Sequence, residues 1–165
     1  MRLIVYILGP AGSGKSTFSA SFSEWLINES GSSLLVNLDP AAVYLPYTPD
    51  VDVRVYVDAS SVMEKYNLGP NGAIIASVDL MLSHLDKLKD EINEFDDGYV
   101  LIDTPGQMEV FAFRRTGEAI VKNLCGERCV IVFLVDAVLA NRPSGLLSQL
   151  FLAASIYYRF KLPLY

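Results

Sequence analysis

Residues 9–16 read Gly-Pro-Ala-Gly-Ser-Gly-Lys-Ser, directly after the apolar run Leu3-Ile4-Val5-Tyr6-Ile7-Leu8 and directly before a helical pattern. Gly9, Gly14, Lys15 and Ser16 fill the G-x-x-x-x-G-K-[ST] template, and Gly12 adds a further residue that lets the backbone curl. A strand, a glycine-rich turn and a helix in that order make a P-loop. Phosphates are best held by backbone N–H groups converging at a helix N-terminus, and only residues without side chains let the backbone approach that closely. Gly12, Ser13, Gly14, Lys15, Ser16 and Thr17 are therefore expected to line a phosphate cradle. Lys15 would supply a point charge to the β- and γ-phosphates, and Ser16 a hydroxyl ligand to Mg²⁺.

A chain of 165 residues that is 52% hydrophobic can bury one substantial core. A single α/β domain over residues 1–165 is expected. The net charge of −6 leaves no basic face for nucleic acid or a membrane surface. No apolar stretch reaches the roughly 18 residues of a membrane span. A strand and P-loop immediately after Met1 and Arg2 do not read as a signal peptide, so a cytoplasmic location is expected. Cys125 and Cys129 supply too few ligands for structural zinc, and they read as free, mostly buried thiols.

Along the chain, Phe18, Phe22, Trp25 and Leu26 recur at helical spacing and read as core positions of a helix ending near Ser30-Gly31. The run Leu34 to Leu38 is a buried strand of a parallel sheet, and it places Asp39 at a carboxyl end, where ligands of open α/β sheets bind. Residues 40–52, with Pro40, Pro46 and Pro49, read as loop. Asp58 caps a helix to Tyr66, and Asn67 to Gly72 makes a tight turn. Ile74, Val78, Met81, Leu85, Leu88, Ile92 and Phe95 then advance by fours and threes, the seam of one long helix that packs on the core or against a second subunit. His84 falls off that seam and reads as solvated. Tyr99 to Ile102 is a third strand ending in Asp103-Thr104-Pro105-Gly106-Gln107, whose acid and glycine suit the γ-phosphate side of a P-loop site. Val110 to Leu124 reads as a helix, Val130 to Val135 as a fourth strand, and Pro143 opens a helix running to Lys161. Leu162 to Tyr165 look like the start of another strand. The fold class is a three-layer α/β/α P-loop NTPase with a mainly parallel central sheet.

Gly9 to Ser16, Asn37 to Ala42, Gly69-Pro70-Asn71 and Asp103 to Glu109 together resemble the GPN-loop GTPases. The tripeptide carries weight only through its place between Leu-Asp-Pro-Ala and Asp-Thr-Pro-Gly-Gln. Asp-Thr-Pro-Gly-Gln-Met-Glu is closer to archaeal members. The resemblance implies a homodimer that uses GTP with Mg²⁺, releases GDP and phosphate, and serves as a nucleotide-dependent switch or assembly factor. Gly69, Pro70 and Asn71 of one subunit would reach the partner's γ-phosphate or attacking water. Asp39, Gln107 and Glu109 would orient that water, with Ser16, Asp39 and Asp103 around the metal and Gly106 at the phosphate. A protein client such as an RNA polymerase subunit is implied in the same way. The Asn-Lys-x-Asp motif that reads guanine in this class does not occur, and an incomplete C-terminal part is the expected reason.

Arg54, Arg114, Arg115 and Arg142 could be arginine fingers or solvated surface charges. A P-loop kinase acting on a small molecule or a polynucleotide end is the rival reading, although no arginine-rich lid is evident. A MinD-like ATPase would want a second lysine where Pro10 stands.

Overall fold

The computed structural model describes residues 2–165. In chain order the elements are β1 (Arg2–Leu8), α1 (Lys15–Ser30), β2 (Ser33–Asn37), β3 (Val51–Asp52), α2 (Ala59–Tyr66), α3 (Pro70–Met81) and α4 (Leu85–Asn93). There follow β4 (Gly98–Asp103), α5 (Met108–Phe111), α6 (Arg115–Leu124), β5 (Cys129–Phe133), α7 (Ala137–Ala140) and α8 (Pro143–Phe160). The strands form one parallel sheet in the order β3-β2-β4-β1-β5. β1 is interior, and its register sets Ile7 opposite Asp103 on β4. The acid-bearing strand end therefore lies next to the strand that feeds the P-loop.

Alternation along β1 divides the core. Ile4, Tyr6 and Leu8 join the larger cluster with Val78, Met81, Leu88, Ile120 and Ile156, whereas Val5 and Ile7 meet Leu26 and Leu101 under α1. Helices cover both faces, so the expected three layers are present. Among the described residues, no helix is long and apolar enough to cross a membrane.

Local chemistry explains most boundaries. Asp58 Oδ2 accepts from Ser61 N–H at the start of α2, and Asp136 Oδ1 accepts from Val138 and Leu139 N–H at the start of α7. Pro143 occupies the first turn of α8, where its missing N–H costs nothing. The Arg2 guanidinium donates to the Ile92 and Phe95 carbonyls, closing the C-terminal end of α4 with a cation. Pro163 and Tyr165 pair with Ile131 and Phe133 along the free edge of β5, as the strand-like composition of residues 162–165 suggests.

Several expectations need correction. The long seam helix is two helices, separated by a 3-10 turn at Leu82–His84. Its apolar positions Val78, Met81, Leu85, Leu88 and Ile92 are buried in this chain's own core. The turn at 67–72 is shorter than read, because Pro70 at the first helical position already starts α3. The helix expected from Val110 to Leu124 is interrupted between α5 and α6. Residues 51 and 52, taken as loop, pair with Val36 and Asn37 as an edge strand too short to show a period of two. Trp25 is 54% exposed and so is not core; it extends a stack running from Phe18 through Phe22 along α1. His84 is not simply solvated: its ring stacks on Tyr56, and its buried Nδ1 has no hydrogen-bond partner. Cys125 and Cys129 are joined in a disulfide across the short connection from α6 to β5, with Cα atoms 5.9 Å apart.

Candidate active site

The glycine-rich turn leads directly into the start of α1. Gly12 and Gly14 adopt φ of 80° and 88°, a left-handed conformation that bulky residues resist, which explains glycine at both positions. Gly14 is the N-cap and offers no side-chain oxygen, so the first-turn amides of Lys15, Ser16 and Thr17 have no intrahelical acceptor. An anion is their natural partner. Ser13 N–H is already taken by the Pro10 carbonyl at 3.2 Å.

Lys15 is folded back into this turn. Its Nζ donates to Gly9 O at 3.0 Å and to Pro10 O at 2.9 Å, and the residue is only 6% exposed. Burial lowers its pKa, and Asp103 and Asp39 oppose that shift. A buried ammonium facing two acids and two carbonyls is held ready for a phosphate chain.

Asp103 closes β4 at 1% exposure. Its Oδ2 accepts a 3.0 Å hydrogen bond from the Tyr47 hydroxyl, while Oδ1 is buried without a hydrogen-bond partner. Burial raises its pKa and Asp39 adds to that, whereas Ser16, Tyr47 and Lys15 pull it down. An orphaned carboxylate oxygen beside a serine hydroxyl suits a hard divalent cation with oxygen ligands. Ser16, Asp103 and Asp39 thus fit Mg²⁺, which usually takes one or two protein ligands and completes its shell with phosphate oxygens and water. Among the described residues, no group of three or more His, Cys, Asp or Glu side chains could hold a metal unaided.

Asp39 is placed by a buried amide. Asn37 Oδ1 accepts from Asp39 N–H at 3.0 Å, and Asn37 Nδ2 donates both to Asp39 O and to Asp52 Oδ1. Asp39 Oδ1 accepts from Ala41 N–H, and its Oδ2 faces the Gly106 amide at 3.4 Å. Gly106 also lies against the P-loop: a Cβ built there would sit 3.7 Å from Ala11 and 3.9 Å from Lys15 Nζ. Thr104 Oγ1 donates to Ile7 O at 2.7 Å and ties the two strand ends together. Lys15, Ser16, Asp39, Asp103 and Gly106 are therefore brought to one place.

Others are not joined to it. Gln107 caps α5 through its backbone and is half-buried, with no side-chain hydrogen bond of its own at the helix start. Glu109 lies in α5, and its side chain falls outside the described residues. Gly69, Pro70 and Asn71 are exposed at the start of α3. Pro70 lines a cavity of about 470 Å³ with Ala41, Ala42, Val43 and Arg54, next to the segment that leaves Asp39 but without a P-loop residue in its wall. Of the four arginines, Arg54 is bound to Asp52 and to Ala42 O, and Arg114 to Asp79. Arg115 and Arg142 are exposed. The residue that sequence reasoning missed is Tyr47, whose only signal was an aromatic ring between Pro46 and Pro49 in the loop after an acid-terminated strand.

Comparison with known proteins bears on the family and the fold. A family model described as "Conserved hypothetical ATP binding protein" matches residues 7–165. GPN-loop GTPase 1 of Dictyostelium discoideum is 36% identical over 97% of this chain and 41% of its own length. GPN-loop GTPase 1 of Saccharomyces cerevisiae is 35% identical over 97% of this chain and 42% of its own. A crystal structure of a GTPase in apo form from Pyrococcus abyssi superposes with a TM-score of 0.88 at 34% identity, covering 98% of this chain and 64% of that one. The chain thus spans less than half the length of the curated relatives it matches. Thymidylate kinase from Ehrlichia chaffeensis shares the fold alone, at a TM-score of 0.54 and 13% identity over 99% of this chain and 91% of that one.

Proposed function

Because this chain belongs to the family of the GPN-loop GTPases, we propose that it binds GTP with Mg²⁺ and hydrolyses it to GDP and phosphate. The observation that carries this reading is the convergence of the uncapped α1 start, buried Lys15, unpaired Asp103 Oδ1 and the Gly106 amide.

In the reaction, a water oxygen bonds to the γ-phosphorus as the bond to the β–γ bridging oxygen breaks; GDP keeps that electron pair, and the water proton passes to the released phosphate. Positioning and charge neutralisation account for nearly all of the catalysis. Lys15 exchanges its two backbone carbonyls for phosphate oxygens, and the amides of Lys15 to Thr17 bind the same chain. Ser16, Asp103 and Asp39 would hold Mg²⁺, which would supply charge neutralisation there. Gln107 and Glu109 orient the water, and Asp39 accepts a hydrogen bond from it. Gly69, Pro70 and Asn71 complete the partner's site in a homodimer, and the nucleotide state switches affinity for a protein client such as an RNA polymerase subunit in the cytoplasm.

The family description speaks of ATP and the relatives of GTP; the cradle holds phosphates alone, so guanine is proposed from the relatives. Phosphate release from GTP and from ATP, with no second substrate, tests the reading. Release from GTP supports it. Gln107→Ala is expected to keep nucleotide affinity and lose about a hundredfold in turnover. Undiminished turnover in that variant would overturn the role of Gln107. No release without an added acceptor would favour a kinase.

A further inference from the structure

Thirteen residues, 38–50, separate β2 from β3, and among the described residues one side chain of that loop hydrogen-bonds the strand-end acid. Tyr47 Oη donates to Asp103 Oδ2 at 3.0 Å. The loop is otherwise held at its two ends: Arg54 Nη1 binds Ala42 O at 2.8 Å, and Asp50 exchanges hydrogen bonds with Leu35. Tyr47 is half-buried, whereas Tyr44 on the same loop is exposed and Val43 almost fully so.

A carboxylate offers two oxygens, and the one a fixed donor occupies determines where the other points. Here the donor takes Oδ2 and leaves Oδ1 buried with no partner of hydrogen-bond geometry, while the Ser16 hydroxyl and the Lys15 ammonium are near enough to stabilise the carboxylate. We propose that Tyr47 is the positioning residue of the divalent-metal site: its phenol fixes the Asp103 carboxylate so that Oδ1 serves the ion, and it thereby couples metal occupancy to the placement of the 40–50 loop. The inference rests on the reading of the site as a Mg²⁺-nucleotide pocket. Tyr47 touches neither phosphate nor water in this role, so its contribution runs through Asp103.

The test is the affinity of wild-type protein and of Tyr47→Phe for a fluorescent GDP analogue, titrated with Mg²⁺ and measured again in excess EDTA. Removing a hydrogen-bond partner of a metal ligand typically weakens metal binding about 10- to 100-fold, and a loss of at least about tenfold in Mg²⁺ affinity is expected. Affinity in EDTA stays at the wild-type value, because the amides and Lys15 are untouched. A merely structural role would lower both affinities together, and that result, like unchanged Mg²⁺ affinity, overturns the proposal. Tyr44→Phe, on the same loop but away from Asp103, keeps wild-type behaviour; an equal loss there also overturns it. If wild-type protein binds no nucleotide, the functional reading falls and takes this inference with it. A wild-type response to Mg²⁺ that Tyr47→Phe reproduces defeats the inference alone.

Discussion

The Gly106 amide points at Asp39 Oδ2 across 3.4 Å, which joins the turn after β4 to the end of β2. At that length the hydrogen bond is weak, so the amide can be surrendered to a stronger acceptor at little cost. The acid that gives it up is half-buried and anchored by Asn37 and Ala41. Gly106 also lies beside Lys15, whose Nζ would be 3.9 Å from a Cβ added there, so its amide is placed to serve as the terminal-phosphate donor of the proposed function.

Gly106→Ala tests that relationship. The added methyl meets only ordinary contacts and the backbone is not left-handed there, so stability should change by less than about 1 kcal/mol. The methyl nevertheless narrows the space beside Lys15. Affinity for a non-hydrolysable GTP analogue should fall several-fold more than affinity for GDP, read by paired titrations. Equal losses would place the γ-phosphate elsewhere.

Lys15→Ala should separate binding from folding. In the absence of ligand the ammonium is desolvated and satisfied only by two carbonyls, so its removal relieves a buried charge even as it leaves Gly9 O and Pro10 O unpaired. These effects oppose each other, and the melting temperature should move by only a few degrees. Nucleotide affinity should drop at least about a hundredfold, because a charge-assisted contact to phosphate is lost. Calorimetric titration alongside a thermal melt checks both halves.

The parts legible in the sequence were those with dense local signals. The P-loop, the Asp58 cap, Pro143 and the acids ending β2 and β4 each announce themselves through residue type and spacing, and the structure puts them where those signals place them. Trp25, the break at residues 82–84 and the edge strand at 51–52 were not legible, because exposure and pairing depend on what packs alongside. The periodicity of the seam continues unbroken through Leu82 to His84, since three residues of 3-10 helix barely shift its phase. Tyr47 was invisible for a related reason: its partner lies 56 residues away, and no spacing rule links a loop tyrosine to a strand-end acid. The Asn37–Asp52–Arg54 cluster likewise exists only once β3 is laid beside β2.

Asn37 is expected to be the most sensitive polar position near the site. It is fully buried, and its amide makes three hydrogen bonds, to Asp39 N–H, Asp39 O and Asp52 Oδ1. Asn37→Ala strands buried groups at both acids, so a loss of about 2–4 kcal/mol is expected. Denaturant unfolding would measure it. Asn37→Asp should be no milder, since it sets a third carboxylate between Asp39 and Asp52.

Asp52 gives the clearest pH signature. Burial acts to raise its pKa, but hydrogen bonds from Arg54 and Asn37 outweigh it, and the carboxyl is held below the usual carboxylate range. A group whose folded pKa lies below its unfolded one contributes stability above the unfolded value, and that contribution drains away as pH falls through the folded one. Asp103 has the opposite sign, because burial raises its pKa, so the wild-type profile alone mixes the two. The difference between wild type and Asp52→Asn isolates the pair. With side chains only 27% and 16% exposed, Arg54 and Asp52 are partly shielded from solvent, and the difference should be about 1–3 kcal/mol near neutral pH. It should shrink steadily below about pH 4 as the wild-type carboxylate is protonated. Unfolding free energies of both proteins from pH 7 to pH 3 give the measurement. A difference independent of pH would mean that the Arg54 contact contributes packing and not charge.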